Sequence, residues 1–127
     1  MGPVWLGKAV VLAVHGRLLA EHGGALGIRD PALLDSALAL PQHLLAYGDP
    51  DIYDLAAAYT SGIVRNHPFV DGNKRTGFMA GYVFLASNEL QLTATEVDVV
   101  QLVTLLAASE IGESEYAAWL RENCETV

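Results

Sequence analysis

The chain has 127 residues, the length of one domain, and its 52% apolar residues are enough to build a buried core. Only 17% of its residues are charged, which excludes a disordered chain. The net charge of −8, with seven basic residues in all, argues against direct nucleic-acid binding, because binding to phosphate backbones depends on clustered lysine and arginine. We therefore expect a single domain over residues 1–127.

Several features predict a cytoplasmic protein without a membrane partner. The longest uncharged segment of helical character, Thr76 to Asn88, is too short to cross a bilayer. The N-terminal residues lack the pattern of a signal peptide. The single cysteine, Cys124, cannot form an internal disulfide, which fits a reducing compartment.

The first two helices are predicted from their ends. Apolar residues at helical spacing predict a helix from about Lys8 to His22, which a pair of glycines ends. In the next segment, RDPALLDSALALP, Asp30 is a natural N-cap and Pro31 takes the first helical position. We expect Pro41 to stop this second helix, since proline disrupts a helix interior.

The third and fourth helices flank a loop that is rich in charge, glycine and proline. Asp49 and Pro50 repeat the capping pattern and open the third helix. This helix should end near Asn66, because Pro68 disfavours the helical conformation at His67. The fourth segment, KRTGFMAGYVFLASN, is apolar on nearly all sides, as expected of a central helix.

The remaining chain predicts two more helices. A capping box from Thr93 to Glu96 opens a fifth helix to about Ala108, and a sixth runs from about Glu113 to Asn123. Before the fifth, LQLTA is briefly extended, but no segment alternates long enough to build a sheet. We predict an all-α compact bundle of about six helices around a central helix, in which Gly77 and Gly81 let a neighbouring backbone come close.

The loop RNHPFVDGNKRTGF has the chemistry of an anion site. A helix N-terminus presents unpaired N–H groups and the positive end of the dipole. Lys74 and Arg75 in the first turn are unfavourable for the helix alone. A bound phosphate would supply the compensating negative charge.

The other loop residues fit phosphoryl or nucleotidyl transfer. His67 is a candidate general base, and Asp71 can hold Mg²⁺, which accepts one or two carboxylates plus phosphate oxygens. Asn73 can donate to a phosphate oxygen or shape the turn, and Phe69 should pin the loop to the core. The spacing of a P-loop is absent. The alternative interpretation is an ordinary turn and helix cap with a structural histidine.

The stretch HPFVDGNKR resembles the signature of the Fic/Doc superfamily, and in particular its Doc (death-on-curing) toxin branch. Fic-type AMP-transferases typically read HPFx[DE]GNGRxxR. Here Lys74 follows Asn73, as in the Doc form, and Phe78 stands where the second arginine would be. The segment HGGALGIRDPALLDSALALP also resembles the N-terminal half of Doc proteins, so the likeness extends over almost the whole chain.

The resemblance implies a role for each residue of the loop. His67 would be the catalytic base that acts on a protein hydroxyl, and Asp71 would coordinate Mg²⁺. The phosphates of ATP would be held by five residues: Gly72, Asn73, Lys74, Arg75 and Arg65. The role of Arg65 is the least defined of the five.

The resemblance further implies a protein kinase toxin. It would transfer the γ-phosphate of ATP to a threonine of translation elongation factor Tu, with the segment Leu44 to Asp54 aligning the target. The self-inhibitory pattern [ST]xxxE[GN] is incomplete here, because Ser114 follows Glu113. A Phd-type antitoxin is therefore expected to inhibit the protein in trans. Two alternatives stay open: a Fic-type AMP-transferase, and a weakly active binding module that acts through a partner.

Overall fold

A computed structural model describes residues 2–127 of the protein, which form six helices and one two-stranded sheet. This confirms the all-α class and the expected number of helices. The helices are α1 (Lys8–His22), α2 (Pro31–Tyr47), α3 (Ile52–Asn66), α4 (Asn73–Ser87), α5 (Glu96–Ala107) and α6 (Glu113–Glu122), and the strands are β1 (Leu90–Leu92) and β2 (Cys124–Thr126).

The centre of the molecule is the packed pair of α3 and α4. Every residue of α3 from Leu55 to Val64 is buried, and α2 and α6 cover its other sides. Tyr59 of α3 packs against Phe84 of α4, with their ring centroids 5.0 Å apart. Because α3 and α4 pack side by side, the loop between them is anchored at both ends on the core.

Two glycines of α4 set how closely the central pair packs. A Cβ built on Gly77 would lie 2.6 Å from Cγ1 of Val64 and 3.1 Å from the main-chain oxygen of Thr60. A Cβ on Gly81 would lie 2.5 Å from Oγ1 of Thr60 and 3.2 Å from the main-chain oxygen of Ala56. These distances confirm the expected close approach and leave no room for alanine at either position.

The end predicted for α2 is wrong. The helix continues through Pro41 to Tyr47, and Pro41 itself is buried within it. The lost main-chain bond and the ring clash of an interior proline have a substantial cost. The packing of Leu44 against the core beyond Pro41 offsets that cost, so tertiary contacts prevail over the local signal.

Two predicted caps lie two residues away from the observed ones. The N-cap of α3 is Asp51, not Asp49, and it forms a reciprocal capping box with Asp54. The N-cap of α5 is Thr95, not Thr93, because the hydroxyl of Thr93 donates to the main-chain oxygen of Asn123. In both cases neighbouring residues of the same capping type left the choice open.

The brief extended segment after α4 is confirmed, and it has a partner that the sequence did not indicate. Strand β1 pairs antiparallel with β2, so that Leu92 lies opposite Cys124.

Near the N-terminal end of the described residues, the amide of Leu6 donates to the buried hydroxyl of Tyr59. No helix among residues 2–127 is long and apolar enough to cross a membrane.

Candidate active site

Main-chain hydrogen bonds join the loop between α3 and α4 to the segment between α1 and α2. The amides of Arg29 and Asp30 donate to the oxygen of Pro68 over 2.8 and 3.0 Å. The amide of Val70 donates to the oxygen of Gly27 over 3.1 Å. The loop therefore has a fixed path that depends on peptide groups of a distant part of the chain.

His67 lies at the C-terminus of α3 in the left-handed conformation, with φ 49° and ψ 56°. It is outside the right-handed helical region, as Pro68 predicted, but it is not extended. Its amide closes α3 by donating to the oxygen of Ile63, and its side chain is exposed. The side-chain nitrogen Nδ2 of Asn73 lies 3.4 Å from Nδ1 of His67, a long contact that orients the ring and leaves it open to solvent.

Arg29 supports His67 from outside the loop. Its Nε donates to the main-chain oxygen of His67 over 2.7 Å, and its terminal nitrogen donates to that of Asn66 over 2.8 Å. These are the last carbonyls of α3, where a cation is favourable. The sequence analysis missed Arg29, because its sequence neighbours indicate only the start of α2.

Asn73 shapes the turn. Its side-chain oxygen accepts from the amide of Phe69, and its side-chain nitrogen donates to the oxygen of Phe69, each over 3.0 Å. The residue is only 7% exposed. Of the two roles that the sequence left open, this geometry supports the turn-shaping one.

Phe69 is buried in the core beneath the loop. It is 1% exposed, and its ring is stacked on the ring of His15, with the centroids 3.8 Å apart and the planes inclined by 12°. Nε2 of His15 lies 2.9 Å from the main-chain oxygen of Asp71. Nothing in the sequence spacing of His15 predicts this contact.

The carboxylate of Asp71 is exposed and held by two main-chain amides. Oδ2 accepts from Ala25 over 3.2 Å and Oδ1 accepts from Gly72 over 2.9 Å. Gly24 lies so close that a Cβ there would be 2.9 Å from Oδ2 of Asp71. Each carboxylate oxygen keeps a free lone pair, so one carboxylate together with nucleotide phosphates would suit Mg²⁺.

Within the part of the chain that the structure describes, protein side chains alone do not form a metal site. No cluster of three or more His, Cys, Asp or Glu side chains suited to a metal occurs among residues 2–127. An ion at Asp71 would take its other ligands from water and from the phosphates of a bound nucleotide.

Lys74 and Arg75 differ from the other basic residues in having no anionic or carbonyl partner within the part of the chain that the structure describes. Both are exposed in the first turn of α4, whose N-cap, Gly72, has no capping side chain. The five others engage a carboxylate or a main-chain carbonyl: Lys8, Arg17, Arg29, Arg65 and Arg121.

The loop, α1, α4 and α5 enclose a groove of about 720 Å³. His67, Asp71, Lys74 and Arg75 line its polar part. Apolar side chains line most of the rest: Leu18, Val70, Phe78, Met79, Val99, Val100 and Val103. His22, Glu96 and Thr104 also line it. The groove thus combines a cationic end with an apolar wall, a pairing suited to a ligand with both a phosphate and a flat organic part.

Arg65 does not line this groove. Its guanidinium donates to the main-chain oxygens of Leu106 and Ile111 over 3.4 and 3.2 Å, where it joins the end of α5 to the turn before α6. Its assignment to phosphate binding stays a prediction, and its observed contacts are structural.

Glu113 lies near Arg65. Burial raises the pKa of the Glu113 carboxyl, and a hydrogen bond with Ser61 has the opposing effect.

Sequence comparison identifies the family. The model of the Fic/DOC family matches residues 5–85, which include α1 to α3, the whole loop and most of α4. The chain belongs to the Fic/Doc family. The curated Toxin Doc of Mycolicibacterium smegmatis is 47% identical over 74 residues, and the alignment covers 57% of this chain and 57% of that protein. The chain is thus aligned with little more than half the length of that relative, and the Doc-like resemblance of the motif is confirmed.

In this Fic/Doc protein, the position at which the motif differs from the Fic form is part of the groove wall. Phe78, at the position of the second Fic arginine, lines the groove next to Tyr82, with ring centroids 5.9 Å apart. The groove therefore lacks a cation at position 78, whereas Lys74 adds one where the motif HPFx[DE]GNGRxxR has glycine.

Proposed function

We propose that this protein is a Doc-type toxin, a protein kinase that transfers the γ-phosphate of ATP to a threonine hydroxyl of a translation factor. Elongation factor Tu is the target that the Doc resemblance implies, and arrested protein synthesis is the consequence. The observation that carries the proposal is a pair of cations, Lys74 and Arg75, that have no partner among residues 2–127 and share one groove with an exposed His67 and Asp71.

The charges support a nucleotide as the ligand. Two cations at a helix N-terminus are unfavourable until an anion arrives, so a polyphosphate gains the attraction of both side chains and the helix dipole. Asp71 would share Mg²⁺ with the phosphates, and the ion would neutralise charge that develops on the transferred group. The apolar wall of the groove is available to the base.

His67 supplies the proton acceptor in this scheme. A neutral imidazole takes the proton of the threonine hydroxyl as its oxygen bonds to the γ-phosphorus, and the bond from that phosphorus to the bridging oxygen breaks to release ADP. The left-handed backbone and the carbonyl contacts of Arg29 fix where the ring stands. Phe78 favours this outcome over AMP transfer, because the groove lacks the second arginine of Fic enzymes.

The experiment that tests the proposal is intact-mass analysis of elongation factor Tu after incubation with the protein, ATP and Mg²⁺. We expect a gain of one phosphate, and a rate that falls by roughly 10² to 10⁴ in the His67→Ala variant. The matched control is His43→Ala, which removes an exposed histidine of α2 outside the groove. An added AMP would support Fic chemistry instead. No change would contradict this target, and an effect on cells that survives His67→Ala would favour the binding module.

We propose further that a Phd-type antitoxin inhibits the protein by covering the groove. Two valines that line it are exposed by 51 and 60%: Val70 and Val100. Glu113, in the incomplete inhibitory pattern, lies beside Arg65 and Ser61 rather than in the groove. Co-purification with the product of the adjacent small gene, and its loss in Val100→Asp, would support this arrangement. Binding that is unaffected by Val100→Asp would contradict it.

A further inference from the structure

We propose that His15 is a positioning residue that sets the orientation of the Asp71–Gly72 peptide at the anion-binding end of α4. The inference rests on the proposed function in one respect, since it assumes that this end binds nucleotide phosphate. It adds a residue of α1, outside the sequence motif, to the machinery of the site.

The contact is a directed hydrogen bond. A main-chain oxygen can only accept, so Nε2 of His15 carries a hydrogen and donates it to the oxygen of Asp71, 2.9 Å away. The imidazole is 4% exposed and lies flat against the ring of Phe69. Packing therefore holds the donor in one position, and a buried donor without this acceptor would be unfavourable.

The bond fixes the direction of a whole peptide group. A peptide is planar and trans, so its carbonyl and N–H point in opposite directions. With the oxygen of Asp71 turned to His15, the N–H of Gly72 points the other way, where it meets Oδ1 of Asp71 over 2.9 Å. That carboxylate lines the groove, so the N–H face of the peptide is the one turned toward the ligand.

The motif alone does not enforce this orientation. Gly72 has φ 76° and ψ 20°, and glycine adopts positive and negative φ with similar ease. A flip of the peptide would turn the oxygen of Asp71 toward the phosphates and the N–H away from them. Leu19 and His15 also lie close to Gly72, at 3.3 and 3.8 Å from a Cβ built there. Because the glycine leaves both orientations accessible, the donor of His15 selects the one in which the Gly72 N–H holds the Asp71 carboxylate and the carbonyl of Asp71 is kept away from the groove.

The test separates the donor from the packing. His15→Phe keeps an aromatic ring on Phe69 but removes the donor, whereas His15→Gln offers a side-chain amide that can donate again. Val11→Ala is the matched control, because Val11 is buried one turn earlier in α1 and its side chain has no hydrogen-bond donor. Two readouts are needed for each protein: the affinity for ATP with Mg²⁺, and the amide chemical shift of Gly72 without nucleotide.

We expect His15→Phe to move the Gly72 shift and to weaken ATP binding by about tenfold or more, since small displacements of positioning groups have large effects. His15→Gln should restore part of both, while Val11→Ala should lower the melting temperature and change neither. Wild-type affinity and an unmoved Gly72 shift in His15→Phe would overturn the proposal. If the wild-type protein bound no ATP, the proposed function would fail, and the Gly72 shift would still decide whether His15 orients the peptide.

Discussion

The guanidinium of Arg29 donates to the main-chain oxygen of His67 over 2.7 Å, although the two residues are 38 positions apart in the chain. His67 occupies the left-handed region, which costs a residue with a side chain roughly 1–2 kcal/mol. The second hydrogen bond of Arg29, to the oxygen of Asn66, makes the contact a two-point clamp on the end of α3. Arg29 thus stabilises the backbone conformation from which the imidazole projects.

Replacing Arg29 by lysine should lower kcat while leaving the KM for ATP nearly unchanged. Lysine keeps the charge but not the planar fork that reaches both carbonyls. We expect kcat to fall about tenfold, as is common when a catalytic group is displaced, with an unfolding free energy lower by about 1–2 kcal/mol. Steady-state kinetics and urea unfolding measure the two effects. Arg17→Lys, in an exposed pair with Glu21, is the control, and a raised KM with unchanged kcat would assign Arg29 to nucleotide binding.

Replacing Lys74 by alanine should weaken ATP binding without harming the fold. The side chain is exposed and lies at the positive end of the α4 dipole, so its removal should stabilise the free protein by about 0.3–1 kcal/mol or leave it unchanged. Thermal unfolding with and without ATP and Mg²⁺ checks both parts, since a bound ligand raises the melting temperature. Lys8→Ala removes a cation that is paired with Asp35, outside the groove. A large fall in melting temperature of Lys74→Ala without nucleotide would contradict the anion-site interpretation.

Two buried threonines should respond in opposite ways to replacement by valine. Oγ1 of Thr76 is the buried side-chain atom that has no hydrogen-bond partner among residues 2–127, so Thr76→Val should be neutral or stabilise by about 1 kcal/mol. Oγ1 of Thr60 donates to the oxygen of Gly77 over 2.8 Å and is hydrogen-bonded to Tyr116. Thr60→Val should therefore destabilise by about 1–3 kcal/mol. Urea unfolding measures the free energy of unfolding of both variants. An equal decrease in the two would show that the hydroxyl of Thr76 has a hydrogen-bond partner.

Acid should weaken the contact between α3 and α6. Burial would raise the pKa of Asp51, but hydrogen bonds from the Asp54 amide and from Arg121 outweigh it and hold the pKa below its usual value of 3.8. A lowered pKa in the folded state means that the unfolded chain binds the proton more readily. The stabilisation is therefore present above about pH 3.8 and is lost as the pH falls through the folded-state pKa.

The size of this pH effect is limited by exposure. The side chains of Asp51 and Arg121 are 45% and 44% exposed, so the pair should contribute less than about 1 kcal/mol. We expect Arg121→Met to unfold with a shallower dependence on pH than the wild type below pH 3.8, as measured by urea unfolding across a pH series. Parallel curves for the two proteins would show that the pair makes no pH-dependent contribution.

The outline of the fold follows from local signals, whereas the details that failed depend on tertiary contacts. The bounds of α1 and the end of α3 were predicted from a glycine pair and from Pro68, because those residues act on the backbone at their own positions. Pro41 misled the prediction for α2, since packing of the following turn outweighs its local cost. The pairing of β1 with β2 joins distant segments, and no local pattern announces it.

The candidate site likewise contains residues that local sequence predicts and residues that only tertiary contacts reveal. The motif is contiguous, so the residues that line the groove could be found by their chemistry: His67, Asp71, Lys74 and Arg75. The residues that orient them come from α1 and the turn after it, and they look ordinary in sequence. His15 has helical spacing and Arg29 precedes an N-cap, so neither carries a signal that points to a loop about 40 to 55 positions away. Arg65 was assigned to phosphate binding by the family resemblance, but its side chain extends toward α5 and α6.

Main-chain hydrogen bonds form the joint between the α3–α4 loop and the segment before α2. The hydrogen bonds of Pro68, Val70 and Gly27 in that joint do not depend on which side chains flank them. Two exposed side chains lie at this joint: Val70, which is 51% exposed and lines the groove, and Leu26, which is 78% exposed and precedes Gly27 in the chain. Their identities can drift without moving the reacting groups. Recognition of a protein target can therefore diversify on this surface while the chemistry beneath it stays the same.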